Sequence, residues 1–151
     1  MIVGVCAILA SILPPMPGDG TILHIEVQRL SWRSNRPLST DWDKAPASAK
    51  TKGAVSTYGA VGEQFLSETT IGKQRAHVKG KVWKQSFYLM LRVSASFSSR
   101  KGIVYDALCV DTIIAAPLGQ WLVIGGGISS VTHDDRTTYS GDLIRIRLTK
   151  K

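Results

Sequence analysis

The sequence predicts an all-β fold, an antiparallel sandwich or partial barrel of about six strands. Three observations predict it. Apolar and polar residues alternate with a period of two from Thr21 onward. No segment sustains a 3.6-residue apolar period. Clusters of Gly, Pro, Asp and Ser interrupt the alternation at spacings suited to hairpins. A length of 151 residues fits one domain with one core. With 44% hydrophobic and 20% charged residues, wholesale disorder is excluded.

The elements follow in order. Residues 2–13 (IVGVCAILASIL) form an unbroken stretch of apolar and small residues closed by Pro14 and Pro15. The run falls short of the roughly 20 residues needed to span a bilayer. It matches the apolar core of a secretory signal, with cleavage after Ala10. Residues 1–20 are therefore expected to be a leader, and 21–151 a single β domain. In Thr21–Leu30, Leu23, Ile25 and Val27 point one way, with His24, Glu26 and Gln28 opposite, the pattern of a half-buried strand. Residues 31–62 lose the period and read as a long loop with a short strand near Val55–Tyr58.

Gln74–Trp83 alternates again, with Ala76, Val78 and Val82 on one face and Arg75, His77, Lys79 and Lys81 on the other. Phe87–Phe97 is the clearest strand, projecting Phe87, Leu89, Leu91, Val93, Ala95 and Phe97 to one side. Ser98–Gly102 is a turn by composition. Ile103–Ala116 returns as an antiparallel partner, apolar on both faces in its second half and hence expected to be central. Pro117–Gly119 breaks it, and Gln120–Ile124 is a short buried strand. Ser129–Gly141 reads as a polar hairpin tip. Asp142–Lys150 closes the fold with Ile144, Ile146 and Leu148 inward.

The net charge of +8 is uneven: residues 51–100 carry +6, concentrated in Lys73, Arg75, Lys79, Lys81 and Lys84. A basic strand face can solvate the domain, or meet phosphates, acidic headgroups or an acidic protein. No metal-ligand spacing exists. Cys6 lies in the leader, and Cys109, inside an apolar strand, is expected to be a buried, inert thiol. The carboxylate pairs Asp41/Asp43 and Asp134/Asp135 lie in loops, and His24, His77 and His133 fall at outward or turn positions. No nucleophile elbow is present. Gly125, Gly126 and Gly127 are not followed by a helix that would face a phosphate, so they mark a bulge or a close approach of backbones. An enzyme is not expected, nor a cofactor or a small-molecule substrate. For nucleic acid, the basic face offers only Trp83 as a stacking residue, where a single-strand platform needs several.

The order of elements resembles the carboxy-terminal homology domain of the secretins, the outer-membrane channels of type II and type III secretion, type IV pili and phage export. ILHIEVQRLS (22–31) is similar to its opening strand, followed by Asp41-Trp42-Asp43 in place of a short acidic-aromatic stretch. LSETTIGKQRAHVKG (66–80), YLMLRVSASFSSRKGIVYDALCV (88–110), PLGQWLVIGG (117–126) and DLIRIRLTK (142–150) follow in the family's order. Ser129–Gly141 holds no proline where secretins carry a proline-rich gate sequence, so the resemblance implies a reduced form lacking the gate. It implies a periplasmic or outer-membrane location and action by contact with protein partners or further copies, with a membrane as a further surface to meet. Arg75, Lys79 and Lys81, with the loop 31–62, are the expected contact residues. The alternative is a basic β-sandwich that binds nucleic acid or another polyanion through Arg75–Lys84.

Overall fold

Alternation at period two lets each strand bury one side-chain row, and two such surfaces facing each other exclude water from both. The chain solves the problem this way, with eight strands rather than six. The computed structural model describes residues 17–37 and 49–151. The leader through residue 16, Cys6, and Asp41-Trp42-Asp43 lie outside the described residues.

The strands are β1 (Ile22–Ser34), β2 (Lys50–Ala60), β3 (Gln64–Ile71), β4 (Gln74–Gln85), β5 (Tyr88–Lys101), β6 (Val104–Ala115), β7 (Leu122–His133) and β8 (Arg136–Lys150). They form two four-stranded antiparallel sheets, ordered β2-β1-β8-β7 and β3-β4-β5-β6. The chain passes between sheets at Val61–Glu63 and again at Ala116–Trp121. The second crossing is held by a hydrogen bond from the Ala116 N–H to the Leu89 carbonyl (2.8 Å) and one from Gly119 N–H to Leu148 (2.7 Å).

The predicted inward rows meet in one core. Leu23, Ile25 and Val27 of β1 and Ile144, Ile146 and Leu148 of β8 face Val78 and Val82 of β4 and Leu91 and Val93 of β5. All are essentially inaccessible to water, and each such side chain contributes about 1.5–3 kcal/mol by leaving water. A smaller cluster of Leu30, Trp32 and Leu143 is buried on the opposite face of the first sheet, reached because β1 runs on past Leu30.

Six expectations are corrected. Ser98–Gly102 is not the turn: β5 runs on to Lys101, and the chain reverses at Gly102-Ile103. The loop at 31–62 is mostly strand among its described residues: β1 continues to Ser34 and β2 spans Lys50–Ala60. Phe87 leaves the core row, because the β4–β5 turn carries it into solvent, 89% exposed. The polar stretch 129–141 is the expected hairpin end, but its arms are paired strand almost throughout, and the turn itself is only the two residues Asp134-Asp135. Both aspartates take positive φ (47° and 59°), as a hairpin turn that follows the sheet's twist requires. Strand β6 is an edge, not a centre: Asp111, Ile113 and Ala115 face out, and only alternate residues touch the core. Cys109, on that outward row, is therefore exposed.

The three glycines do both things expected of them. The β7–β8 register shifts between Val123 and Gly125, a bulge. A Cβ on Gly126 would run into the Asp142 carbonyl oxygen and the Leu143 backbone, the close approach of backbones, while one on Gly125 would meet the Val110 side chain across the sandwich.

Candidate partner-contact surface

Each sheet ends in strands with one unpaired side: β2 and β7 in the first, β3 and β6 in the second. Open strand edges present rows of N–H and C=O groups to any extended chain. Strand β7 is the barest. From Gly126 to His133, and on through the turn to Arg136, every residue is exposed. This arm is held by its ladder to β8 and by cross-strand hydroxyl pairs, Ser129 with Ser140 and Thr132 with Thr137, each at 2.9 Å.

The arm's free donors follow from its turn. In a two-residue hairpin the closing residues, here His133 and Arg136, exchange both backbone hydrogen bonds, and hydrogen-bonded pairs then alternate along the ladder. The N–H groups of Val131 and Ser129 thus face β8. Those of Thr132, Ser130 and Ile128 face outward.

The sequence-predicted contact residues stand together on the outer face of the second sheet. Arg75, Lys79 and Lys81 of β4 are all exposed, with His77 between them and Trp83 beyond, both half-buried. Across the ladders, Lys79 lies opposite Leu66 of β3, and Lys81 opposite Arg92 of β5. Among the described residues none of Arg75, Lys79, Lys81 and Arg92 has an acidic ion-pair partner. Like charges directly opposite destabilise a strand pair. Replacing Lys81 with glutamate should therefore raise stability by roughly 0.2–1 kcal/mol as repulsion becomes attraction, read as a small rise in Tm.

Sequence reasoning missed a charged cluster at one end of the sandwich. Arg29 is 5% exposed, the only buried charged residue among those described. Its Nε donates to Asp142 of β8 at 2.9 Å and its Nη2 to both Asp106 carboxylate oxygens at 2.9 Å. A further Nη2 bond reaches Asp142. The Asp142 hydrogen bonds hold the guanidinium pKa above its ordinary value, against the opposing effect of burial, with Asp106 adding to the rise. Asp106 belongs to edge strand β6, so the cluster ties one sheet to the other. The available signal was parity: Arg29 continues the inward row Leu23, Ile25, Val27.

On the outer face of the first sheet, Trp121 lies under two guanidinium groups, Arg145 at 4.2 Å and Arg147 at 4.5 Å from its ring centre. Glu26 accepts from Arg147 (2.8 Å) and Gln28 from Arg145 (2.8 Å). Burial, then the neighbouring Arg147, lower the Arg145 pKa. The stack fastens the β6–β7 crossover to the sheet.

No family model matches this chain, and no curated protein matches its sequence. Solved structures do match in fold. The type II secretin GspD of enteropathogenic Escherichia coli aligns with 97% of this chain and 73% of its own, at a TM-score of 0.56 and 8% identity. The secretin InvG of the Salmonella SPI-1 type III secretion injectisome aligns with 99% and 69% at 0.52, also with 8% identity. Aeromonas hydrophila ExeD aligns with 97% of this chain but 52% of its own, at 0.51 and 10% identity. At such identities the likeness is one of fold, and in fold this chain is a secretin-like all-β domain.

Proposed function

We propose that this chain is a secretin-like β domain of the bacterial cell envelope, acting without catalysis and by protein–protein contact in a secretion or pilus-type assembly. One observation carries the reading: a fold shared with secretins over nearly the whole chain, ending in strands whose unpaired edges are exposed. Strand addition across such edges joins copies through main-chain hydrogen bonds, with side-chain pairs setting the register. Arg75, Lys79 and Lys81 form the complementary surface, an uncompensated cationic face suited to an acidic partner. A polyanion-binding role is less well supported, because Trp83 remains the one aromatic in the basic row and is half-buried.

The test uses the outward donors of β7. Ser130→Pro removes an N–H that faces away from β8, and proline is tolerated at such edge positions. Light scattering after size exclusion is expected to find assemblies of the unaltered protein and a shift to monomer in the variant, with unchanged circular dichroism. A protein that stays monomeric at every concentration, and whose cross-linking is independent of Ser130, would remove the basis for the reading.

A further inference from the structure

The outer face of the first sheet carries a hollow that neither the strand edges nor the basic face uses. Trp32 of β1, Leu143 of β8 and Val123 and Ile128 of β7 wall it, the glycine run 125–127 floors it, and its volume is about 570 Å³. That size suits a short, mostly apolar ligand. The Trp32 ring lies across Gly141, where a Cβ would run into it. Trp32 is 4% exposed, yet its Nε1 is the one buried side-chain polar atom among the described residues without a hydrogen-bond partner. A buried N–H left unmet is unfavourable, and each such group in a native fold calls for an explanation.

One end of the hollow is cationic. Arg145 stands opposite Val123, four residues along β8 from Gly141, roughly 13 Å in an extended chain. Arg147 is paired with Glu26. Arg145 instead donates to Gln28 and rests on Trp121, and among the described residues no acid pairs with it. Burial and the neighbouring Arg147 both oppose its charge, so a carboxylate brought beside it is favoured.

We propose that this hollow binds the apolar carboxy terminus of a partner polypeptide. The terminal carboxylate pairs with Arg145, an aliphatic or aromatic side chain fills the space between Leu143, Val123 and Ile128, and a backbone carbonyl upstream accepts from Trp32 Nε1. Three extended residues span about 10 Å, which with the reach of the arginine side chain covers the distance between the two donors. A neutral apolar ligand would leave Arg145 without a counter-charge. The site lies apart from the strand edges and goes beyond the assembly reading, since a single copy carries all of it.

The test is fluorescence anisotropy, with the full chain in dilute solution titrated into fluorescein-labelled Ser-Gly-Ser-Leu-Val-Phe carrying a free carboxylate. Saturable binding is expected. Amidating the peptide, which leaves the protein untouched, should weaken it about tenfold or more, and Arg145→Gln should bind acid and amide alike. Trp32→Phe keeps an aromatic ring and removes the unmet donor, so it should weaken binding about fivefold with unchanged circular dichroism. Ser130→Pro should bind as the unaltered protein does, which separates this site from the β7 edge. No binding of the free acid, equal binding of acid and amide by the unaltered protein, or full affinity in Trp32→Phe would overturn the proposal. So would loss of binding in Ser130→Pro, which would put the peptide on the strand edge instead.

Discussion

Replacing Arg29 with methionine is expected to destabilise the domain by about 2–3 kcal/mol, read as a lower urea midpoint at an unchanged slope. Removing one member of a buried charged cluster typically costs about 3–5 kcal/mol, because the remaining charges lose their partner. The lower figure applies here because the acids are partly solvated, with Asp142 and Asp106 side chains 36% and 56% exposed. Methionine keeps most of the stem's packing, so the loss reports the charge. The three residues act as a unit, so Arg29→Met combined with Asp142→Asn should cost less than the sum of the single changes. Additive costs would show that the pair is not coupled. The guanidinium pKa is raised, so its contribution is present at all pH values below the ordinary arginine range and is lost only above it. Arg29 itself should therefore give no pH dependence of stability near neutrality.

The second large effect is expected at Gly126. Its φ of 143° is one that residues with a side chain rarely adopt, and a Cβ there would run into the Asp142 carbonyl oxygen and the Leu143 backbone. Backbone cannot swing aside as a side chain can, so Gly126→Ala should cost about 3 kcal/mol or more, from strain and overpacking together. Its two neighbours are built-in controls. Gly125→Ala meets first the Val110 side chain rather than backbone, and should cost about 1–2 kcal/mol by overpacking. Gly127→Ala meets nothing within 4 Å and should lie within about 0.5 kcal/mol of the parent. Thermal melts of the three variants give the order directly. Equal losses at all three would mean that the bulge is not where the glycines are needed.

What could be read in the sequence divides along burial. Strands β1, β4, β5 and β8 lie inside the sheets, and each buries one row against the opposing sheet, so apolar and polar residues had to alternate along them. Strand β3 (QFLSETTI) escaped notice because, at an edge, only Phe65 is buried; water satisfies the rest, and no period is imposed. The outer half of β7 was hidden for the same reason. Strand β6 misled in the opposite direction: Ile113 and Ile114 are adjacent and both apolar, which suggests burial on two faces, yet Ile113 is 57% exposed. The glycine run was readable because an absent side chain has few uses inside a strand. The Arg29 cluster joins residues 77 and 113 positions apart, and no local pattern announces such a partner. The lysine row of β4 was visible at once, but its relation to Arg92 needed the β4–β5 register.

Hydrogen exchange followed by mass spectrometry, at low and high protein concentration, tests the central claim most directly. Two sheets joined by a common core, with open edges used for assembly, predict the slowest amides in β1, β8, β4 and β5 at every concentration. They also predict fast exchange at Ile128, Ser130 and Thr132 in dilute solution, slowing as the protein is concentrated. Fast exchange in β4 and β5, or β7 amides whose rates ignore concentration, would contradict the account.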